Sequence, residues 1–544
     1  MTPRNGGDLL VDVLRRFDVD TVFGLVSVHN LPLVDAVDRE LRFVPVRHEA
    51  TAVNAADGYA RARAGLGCAL TSTGTGAGNA AGSLVESLSS GTSVLHVTGQ
   101  IDTPYLGSGR GFIHETKDQP GMLAAVSKAA ATIDSATTAG EILQHAARTA
   151  LTAPGGPVSI EWPIDLQYAE PGPLPPPPHT RESEAPDPST ITEIANLLTR
   201  AKRPAIWAGG GAARAGDQLR RLTETLGAAL FTSNSGRGAV PEDHELCIGN
   251  YATAPAGRAL LAEADLLLSI GTHFRSNETA TYTLPVPAQH VQVDLDPAAI
   301  GRVYPVTLGL TADATAFLDA LLTRLDTESH PSWTKRVRET RAAVRENHRT
   351  ALGDHTLFPD ALRKTLPRNA VIARDVTIAS SSWGNRLLEI HDPRTNIFPR
   401  GGGIGQGLGM AIGAALARPD LPTVGIVGDG GLAVHFGELM TLVQEAPWLV
   451  LLVFNDRGYG VLRNMQDAMR RPHAGVDLTT PDYNTVCAGL GLPHLRVADP
   501  GSVAPALEQA VGHRGPVLVE IDLTSYPPMP NPFTPPVHVP GDPS

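Results

Sequence analysis

Two apolar runs in the C-terminal third of the chain each end abruptly in polar residues. The first is PTVGIVGD at residues 422–429, and the second is WLVLLVFND at residues 448–456. Between them, apolar residues recur three and four positions apart, which is the spacing of one helix face. A strand, a glycine turn, a helix and a second strand form a parallel βαβ unit. The pattern therefore predicts an α/β fold in which ligands bind at the carboxyl ends of the strands.

The same alternation of strands and helices recurs along the chain in three blocks. SVLHVTG, DLLLSIG and GPVLVEID are examples of strands from the first, second and third block. A length of 544 residues is too great for one core, and proline-rich stretches separate the first two blocks and end the chain. We predict three doubly wound parallel-sheet domains with these bounds: an N-terminal domain at 1–168, a linker at 169–190, a central domain at 191–345, a C-terminal domain at 346–525 and a tail at 526–544.

Composition excludes several classes of protein. A net charge of −12 argues against nucleic acid as a partner, because a phosphate backbone rewards clustered Lys and Arg. The three cysteines are scattered and show neither metal-ligand spacing nor a disulfide framework. The apolar runs fall short of the roughly 20 residues that a membrane span needs. The N-terminus lacks a signal-peptide core, so we expect a cytoplasmic protein with no membrane partner.

Glycine-rich loops occur in all three blocks, at residues 72–82, 208–216 and 400–413. The middle loop follows a strand and opens a helix, as in a dinucleotide-binding fold. Such a fold needs an acidic residue at the end of the next strand, but AALFTSN ends in Thr, Ser and Asn. We therefore expect no standard NAD site there; a tight strand-to-helix turn is the alternative.

Asp429 and the pair Asn455-Asp456 come directly after the two apolar runs. One helix and one strand lie between them, so both polar clusters return to one edge of one sheet. Carboxylate oxygens beside glycine amides at a helix N-terminus suit Mg²⁺ that holds a diphosphate. Two solvated loop aspartates are the alternative interpretation.

The segment GDGGLAVHFGELMTLVQEAPWLVLLVFNDRGYG, residues 428–460, resembles a known cofactor signature. It is similar to that of thiamine diphosphate-dependent enzymes, in the superfamily of acetolactate synthase, benzoylformate decarboxylase and the 2-oxo acid decarboxylases. In that family a GDG motif is followed, one helix and one strand later, by an Asn-Asn pair. The resemblance extends over nearly the whole chain, in the order of pyrimidine-binding, central and diphosphate-binding domains.

The resemblance implies a Mg²⁺ site with three ligands: Asp429, Asp456 and the carbonyl of Gly458. The sequence departs from the family at Asp456, where asparagine is usual. An extra negative charge beside a diphosphate is costly unless the cation or a basic neighbour offsets it. Asn455 therefore stays open as an alternative ligand. The resemblance also assigns these residues to cofactor binding: Thr377, Gly428, Gly430 and Gly431.

The stretch VPVRHEATAVNAADGYARA, residues 44–62, resembles the half of the family's site that holds the pyrimidine ring. The resemblance implies that Glu49 hydrogen-bonds the ring nitrogen and favours the imino tautomer of the cofactor. The exocyclic nitrogen then takes the thiazolium proton, and the resulting ylid attacks a 2-oxo carbonyl. A first-turn glutamate that stabilises a helix dipole is the alternative role for Glu49.

The stretch GGGIGQGLGMAIG, residues 401–413, resembles the segment that bends the cofactor. By the resemblance, Ile404 is wedged between the two rings, the carbonyl of Gly402 receives the amino group, and Asn79 also contacts the cofactor. A small-residue helix N-terminus is the alternative. Because Glu49 and Asp429 belong to separate domains and the family forms its site between subunits, a homodimer or a tetramer is implied.

The substrate pocket is predicted from two loops that face the thiazolium in relatives. His29 follows the first strand, and His114 belongs to a second loop; both are assigned to catalysis because histidines there could move protons to or from the enamine intermediate. Solvated loop histidines are the alternative. Six further residues are assigned to the pocket: Val28, Ser72, Ile113, Tyr459, Leu462 and Met465.

Two departures bear on the reaction. Met465 stands where acetolactate synthases carry a tryptophan, and SIGTHFRSNE lacks their acidic-acidic-arginine run. Both disfavour acetolactate synthase and FAD, although FAD stays open. We predict a thiamine diphosphate- and Mg²⁺-dependent enzyme that decarboxylates a 2-oxo acid, with release as an aldehyde or transfer to an acceptor carbonyl. An acetolactate synthase-type carboligase and a non-catalytic regulatory subunit with the same fold are the alternatives.

Overall fold

A computed structural model of the chain describes residues 4–176 and 185–535. It contains three six-stranded sheets, and every strand pairing within them is parallel. The predicted α/β class with three parallel-sheet domains is confirmed. Part of the predicted linker, residues 177–184, and part of the predicted tail, residues 536–544, lie outside the described residues.

The first sheet has the strand order β2-β1-β3-β4-β6-β5. Its strands are β1 (Thr21–Gly24), β2 (Arg42–Pro45), β3 (Gly67–Thr71), β4 (Val94–Gln100), β5 (Ala129–Thr132) and β6 (Val158–Pro163). Its helices are α1 (Gly6–Arg16), α2 (Leu31–Glu40), α3 (Glu49–Arg63), α4 (Thr75–Ser90), α5 (Gln119–Val126), α6 (Ala139–Leu151) and α7 (Ile164–Tyr168).

The central sheet has the order β9-β8-β7-β10-β11-β12, which is the strand order of dinucleotide-binding folds. Its strands are β7 (Pro204–Ala208), β8 (Ala229–Thr232), β9 (Cys247–Gly249), β10 (Leu266–Ile270), β11 (His290–Asp294) and β12 (Leu308–Thr311). Its helices are α8 (Pro188–Arg200), α9 (Gly216–Leu226), α10 (Pro255–Glu263), α11 (Ala314–Leu322) and α12 (Pro331–Leu352).

The middle glycine loop, residues 208–216, follows β7 at the point where the strand order of the central sheet reverses. A Cβ atom at Gly209 would lie 2.0 Å from the carbonyl oxygen of Gly271, so the loops that follow β7 and β10 pack backbone against backbone. Glycine is required at 209 for this close approach. The loop therefore acts as a packing element between the two halves of the sheet.

The third sheet has the order β14-β13-β15-β16-β18-β17, which repeats the connectivity of the first sheet. Its strands are β13 (Val371–Arg374), β14 (Asn396–Ile397), β15 (Thr423–Gly428), β16 (Leu449–Asn455), β17 (His494–Val497) and β18 (Val517–Asp522). Its helices are α13 (Leu357–Thr365), α14 (Gly407–Ala417), α15 (Asp429–Val434), α16 (Leu439–Glu445), α17 (Gly460–Ala468), α18 (Tyr483–Leu490) and α19 (Val503–Gly512).

Two predicted domain limits fall inside helices. The limit between residues 345 and 346 lies within α12, which buries Trp333, Val337 and Val344. Helix α8 begins at Pro188, two residues before the predicted end of the linker at residue 190. Among residues 4–176 and 185–535, no helix is long and apolar enough to cross a membrane.

The N-terminal and C-terminal domains share one hydrophobic core, which is centred on helices α3 and α14. A Cβ atom at Gly413 would lie 1.9 Å from the carbonyl oxygen of Ala55, and one at Gly58 would lie 2.1 Å from that of Met410. The two backbones therefore approach more closely than any residue with a side chain allows at these positions. Small residues on both helices thus fix one domain against the other.

We expect Gly413→Ala to lower the free energy of unfolding by about 2 kcal/mol, because the added methyl group overlaps the backbone of α3. Gly489→Ala is the matched control: it adds a methyl group to helix α18, where nothing lies within 4 Å. The control should be neutral or stabilising by up to about 1 kcal/mol. Denaturant unfolding of both variants measures the difference, and equal effects would contradict the role of this helix contact.

Candidate active site

Three neighbouring strands of the third sheet end in acidic residues at the same edge. Asp375 follows β13, Asp429 follows β15, and Asp456 follows β16. All three side chains lie where parallel sheets of this kind bind ligands. The sequence analysis missed Asp375, although AVIARD shows the same signal of an apolar run that ends in an aspartate.

Asp429 is buried at the start of α15 and is held by backbone. Its Oδ2 accepts a hydrogen bond from the amide of Gly458 at 2.9 Å, and burial raises the pKa of its carboxyl group. The residues on either side of Asp429 are glycines because neighbouring atoms leave little room for a side chain at these positions. A Cβ atom at Gly428 would lie 3.1 Å from the Thr377 hydroxyl, and one at Gly430 would lie 2.7 Å from the Tyr459 ring.

Asp456 lies beside Asp429 with an oxygen that no protein group satisfies. Its Oδ1 is buried and has no hydrogen-bond partner among the described residues. Burial, followed by the charge of Asp429, raises its pKa to about 6. Two buried carboxylates that destabilise each other, one with an unpartnered oxygen, form a donor set that suits a hard divalent cation such as Mg²⁺.

The side chain of Asn455 is engaged on both of its polar atoms. Its Nδ2 donates to Glu520 Oε1 at 2.8 Å, and its Oδ1 accepts from the amide of Arg457 at 3.2 Å. Asn455 therefore braces the turn that carries Asp456 and Gly458. Of the two candidate cation ligands at this turn, Asp456 is the one with a side-chain oxygen that has no hydrogen-bond partner among the described residues.

The glycine loop at 401–406 is attached to the same edge through Asp375. The amide of Gly405 donates to Asp375 Oδ2 at 2.9 Å, and burial raises the pKa of Asp375 to about 6. Gly402 and Gly405 have φ values of +87° and +86°, which favour glycine, and residues 401–404 are exposed. Ile404 is exposed between them.

The predicted residues of the N-terminal domain form a second group at the end of β3. Glu49 is the first residue of α3, and Asn79 Nδ2 donates to its Oε2 at 3.0 Å. A Cβ atom at Gly76 would lie 3.1 Å from Glu49 Oε1 and 2.8 Å from Ser72 Cβ. Only a glycine at 76 leaves Glu49 and Ser72 room to lie on either side of it.

His29 and His114 meet edge to face, with ring centroids 5.2 Å apart. Both ring nitrogens of His29 are buried without a partner among the described residues. Burial, followed by the nearby His114, lowers the pKa of His29, so it is held neutral. The neighbouring apolar side chains Val28 and Ile113 are exposed, Ile113 by 67%.

The remaining predicted pocket residues lie on or just before α17, beside the group around Asp429. Leu462 is exposed and Met465 is half-buried. Asn464 Nδ2 donates to the carbonyl of Phe533 at 2.9 Å, so the described part of the tail reaches this helix. Within residues 4–176 and 185–535, no hydrogen bond or ion pair joins a side chain of the Glu49 group to one of the Asp429 group.

One of these two groups lies in the N-terminal domain and the other in the C-terminal domain. Sequence profiles of the thiamine pyrophosphate enzymes match all three domains. The N-terminal TPP binding domain matches residues 4–122, the central domain matches 191–321, and the C-terminal TPP binding domain matches 378–521. The earlier resemblance is confirmed.

Curated relatives cover nearly the whole chain. A probable 2-ketoarginine decarboxylase of Pseudomonas aeruginosa is 32% identical over 95% of this chain and 93% of its own length. A probable acetolactate synthase large subunit of Methanococcus aeolicus is 27% identical over 95% of this chain and 92% of its own. An acetolactate synthase isozyme 2 large subunit of Escherichia coli is 28% identical over 95% of both. The chain belongs to the thiamine diphosphate-dependent enzyme family.

Replacement of Asp375 by asparagine should change how stability depends on pH. The raised pKa of Asp375 means that the folded protein binds this proton more tightly than the unfolded chain does. Its contribution to stability is therefore present below about pH 4 and is lost as the pH rises to about 6. The loss is on the order of 3 kcal/mol.

We expect the difference in free energy of unfolding between the wild type and Asp375→Asn to fall across this window. Denaturant unfolding of the cofactor-free proteins between pH 4 and pH 7 measures it. A difference that stays flat across the window would contradict the raised pKa of Asp375.

Proposed function

We propose that the chain is a thiamine diphosphate- and Mg²⁺-dependent enzyme that decarboxylates a 2-oxo acid. The observation that carries the proposal is the pair Asp429 and Asp456, with an unpartnered carboxylate oxygen beside the glycines that begin α15. Thiamine diphosphate, when bound, supplies the nucleophilic carbon and the electron sink that cleave the carboxylate from a 2-oxo acid. The protein's part is to bind it, orient it and move protons.

In this proposal the C-terminal domain holds the diphosphate. Asp429, Asp456 and the carbonyl of Gly458 bind the cation, while the amides of Gly430 and Gly431 and the hydroxyl of Thr377 face the diphosphate. Ile404 and the carbonyl of Gly402 orient the two rings. The exposure of Ile404 on the glycine loop supports this role, because an exposed apolar side chain is stabilised when it covers an apolar ring.

In the N-terminal domain, Glu49 activates the pyrimidine ring by holding a proton at its nitrogen. Asn79 donates to Glu49 Oε2, which leaves Oε1 beside Gly76 to face the ring. His29 and His114 act on the substrate side. The unpartnered nitrogens of His29 suit proton transfer once a substrate supplies the missing partner.

We expect Glu49→Gln to lower turnover by at least about 100-fold, because general acid–base catalysis contributes that much or more. Affinity for thiamine diphosphate should change by less than threefold, since the diphosphate is held in the other domain. Glu141→Gln, on the opposite side of the sheet in α6, is the control and should leave both unchanged. Fluorescence quenching measures the affinity for thiamine diphosphate. Normal turnover in Glu49→Gln would contradict the proposed mechanism.

One experiment with the holoenzyme identifies both the donor substrate and the reaction product. The wild type is incubated with thiamine diphosphate, Mg²⁺ and either pyruvate or 2-ketoarginine, each with and without an acceptor aldehyde, and products are identified by NMR. We include 2-ketoarginine because of the decarboxylase relative. An aldehyde alone supports a decarboxylase, and an acyloin or acetohydroxy acid supports the carboligase alternative, which the synthase relatives favour.

We further propose that the enzyme is a homodimer with its site between subunits. Helix α4 starts beside Glu49 and exposes a face of small and apolar residues. Nothing lies within 4 Å of a Cβ built at Gly78 or Gly82, and Val85 is 45% exposed on the same face. A second copy on this face would cover it and bring a second Asp429 group towards Glu49.

We expect Val85→Glu to convert the dimer to a monomer and to abolish turnover, because a charge buried in an apolar interface is strongly unfavourable. Leu151→Glu, at an exposed apolar position in α6, is the matched control and should leave both unchanged. Light scattering after size-exclusion chromatography measures the mass. A wild type that is monomeric and active would contradict the shared site.

A further inference from the structure

Asp456 brings a second carboxylate to the candidate cation site, where the family signature has a neutral asparagine. Its side chain is only 20% exposed, and its Oδ1 has no partner among the described residues. Asp429 is also buried, and a bound diphosphate would add further negative charge. Like charges that lie close together in a poorly solvated site repel each other strongly. The site therefore needs a compensating positive charge close to Asp456.

Arg463, on α17, is the basic group closest to this carboxylate. Its Nη1 lies 3.9 Å from Asp456 Oδ1 and donates to the Asp456 carbonyl at 3.3 Å. Its side chain is as buried as that of Asp456. Asp477 is its other acidic neighbour and the one whose carboxylate it contacts directly, since Asp477 Oδ1 lies 2.9 Å from Nη2 and accepts a hydrogen bond from Nε at 3.1 Å. The Asp477 side chain is 69% exposed, however, so water screens its charge.

The same guanidinium covers the turn that carries the candidate ligands. Its Nη2 donates to the carbonyl of Arg457 at 3.4 Å, and a Cβ atom at Gly458 would lie 2.6 Å from that nitrogen. A Cβ atom at residue 458 would also lie 2.1 Å from the carbonyl oxygen of Val476, so the backbone itself requires glycine there, and the glycine also leaves room for the guanidinium. One side chain thus contacts the backbone from which both the Asp456 carboxylate and the Gly458 carbonyl project.

We propose that Arg463 is a positioning residue that compensates the charge of Asp456 at the cation and diphosphate site. The inference rests on the cofactor site proposed above. Asp429, Asp456 and Arg463 together carry the formal charge of one carboxylate, which is the charge of an aspartate–asparagine pair. The site therefore presents the same net charge to Mg²⁺ and diphosphate as the family signature does. It differs in that residue 456 offers a charged carboxylate oxygen where the signature offers a neutral amide oxygen.

A double-mutant cycle on the full-length protein tests this pairing. The affinity for thiamine diphosphate at saturating Mg²⁺ is measured by quenching of tryptophan fluorescence for the wild type, Arg463→Gln, Asp456→Asn and the double variant. We expect Arg463→Gln to weaken binding about tenfold when Asp456 is present and less than about twofold when residue 456 is asparagine. Arg463→Lys, which keeps the charge, should recover most of the loss.

A second measurement needs no cofactor. Arg463→Gln should lower the apparent Tm of the cofactor-free protein, because Asp456 and Asp429 then lie together without a cation. Addition of Asp456→Asn should restore it. Arg471→Gln changes an exposed arginine beyond the end of the same helix and should alter neither the Tm nor the affinity.

Equal losses of affinity from Arg463→Gln in both backgrounds would overturn the proposal, since Arg463 would then only support the backbone turn. No loss in either background would overturn it as well. If the wild type binds thiamine diphosphate but the cycle shows no coupling, this inference fails and the proposed function stands. If the wild type does not bind the cofactor with Mg²⁺, the proposed function fails and this inference falls with it.

Discussion

The contact between α3 and α14 sets the geometry on which the rest of the candidate site depends. Both helices begin at segments of the candidate site: α3 begins with Glu49, and α14 begins directly after the loop that exposes Ile404. Their backbones touch at Gly58 and Gly413, with no side chain between them. Because such a contact has little freedom to slide or tilt, the positions of the two helix starts are fixed relative to each other within the subunit.

A second constraint is the concentration of negative charge at one sheet edge. Three strands deliver Asp375, Asp429 and Asp456 to that edge, and burial raises the pKa of each. Backbone amides and glycines stabilise Asp375 and Asp429, but they leave Asp456 with a free oxygen. The described residues therefore compensate this charge only in part, which agrees with the cation site that we propose.

A buried ion pair of the central domain makes hydrogen bonds to the backbone of the C-terminal domain. Arg237 is fully buried, binds Glu242 through two hydrogen bonds of 2.7 Å, and donates to the carbonyls of Gly384 and Leu388. All of these groups satisfy one another, so removal of a single partner would leave a buried charge unpaired. The central domain is thus joined to the C-terminal domain by buried hydrogen bonds, and its own glycine loop is used in packing at Gly209.

The sequence by itself determined the α/β class, the three sheets and the strand ends that carry Asp429 and Asp456, because apolar runs and the glycines after them are local signals. It did not predict the short strands β5, β9, β12, β14 and β17, because each has two to four residues and lacks a continuous run of large apolar side chains. Only the tertiary structure decided that Asp375 holds Gly405, that Arg463 lies against Asp456 and that His29 meets His114. These residues are brought together by packing between distant segments, and no local pattern records which distant side chain a residue will contact.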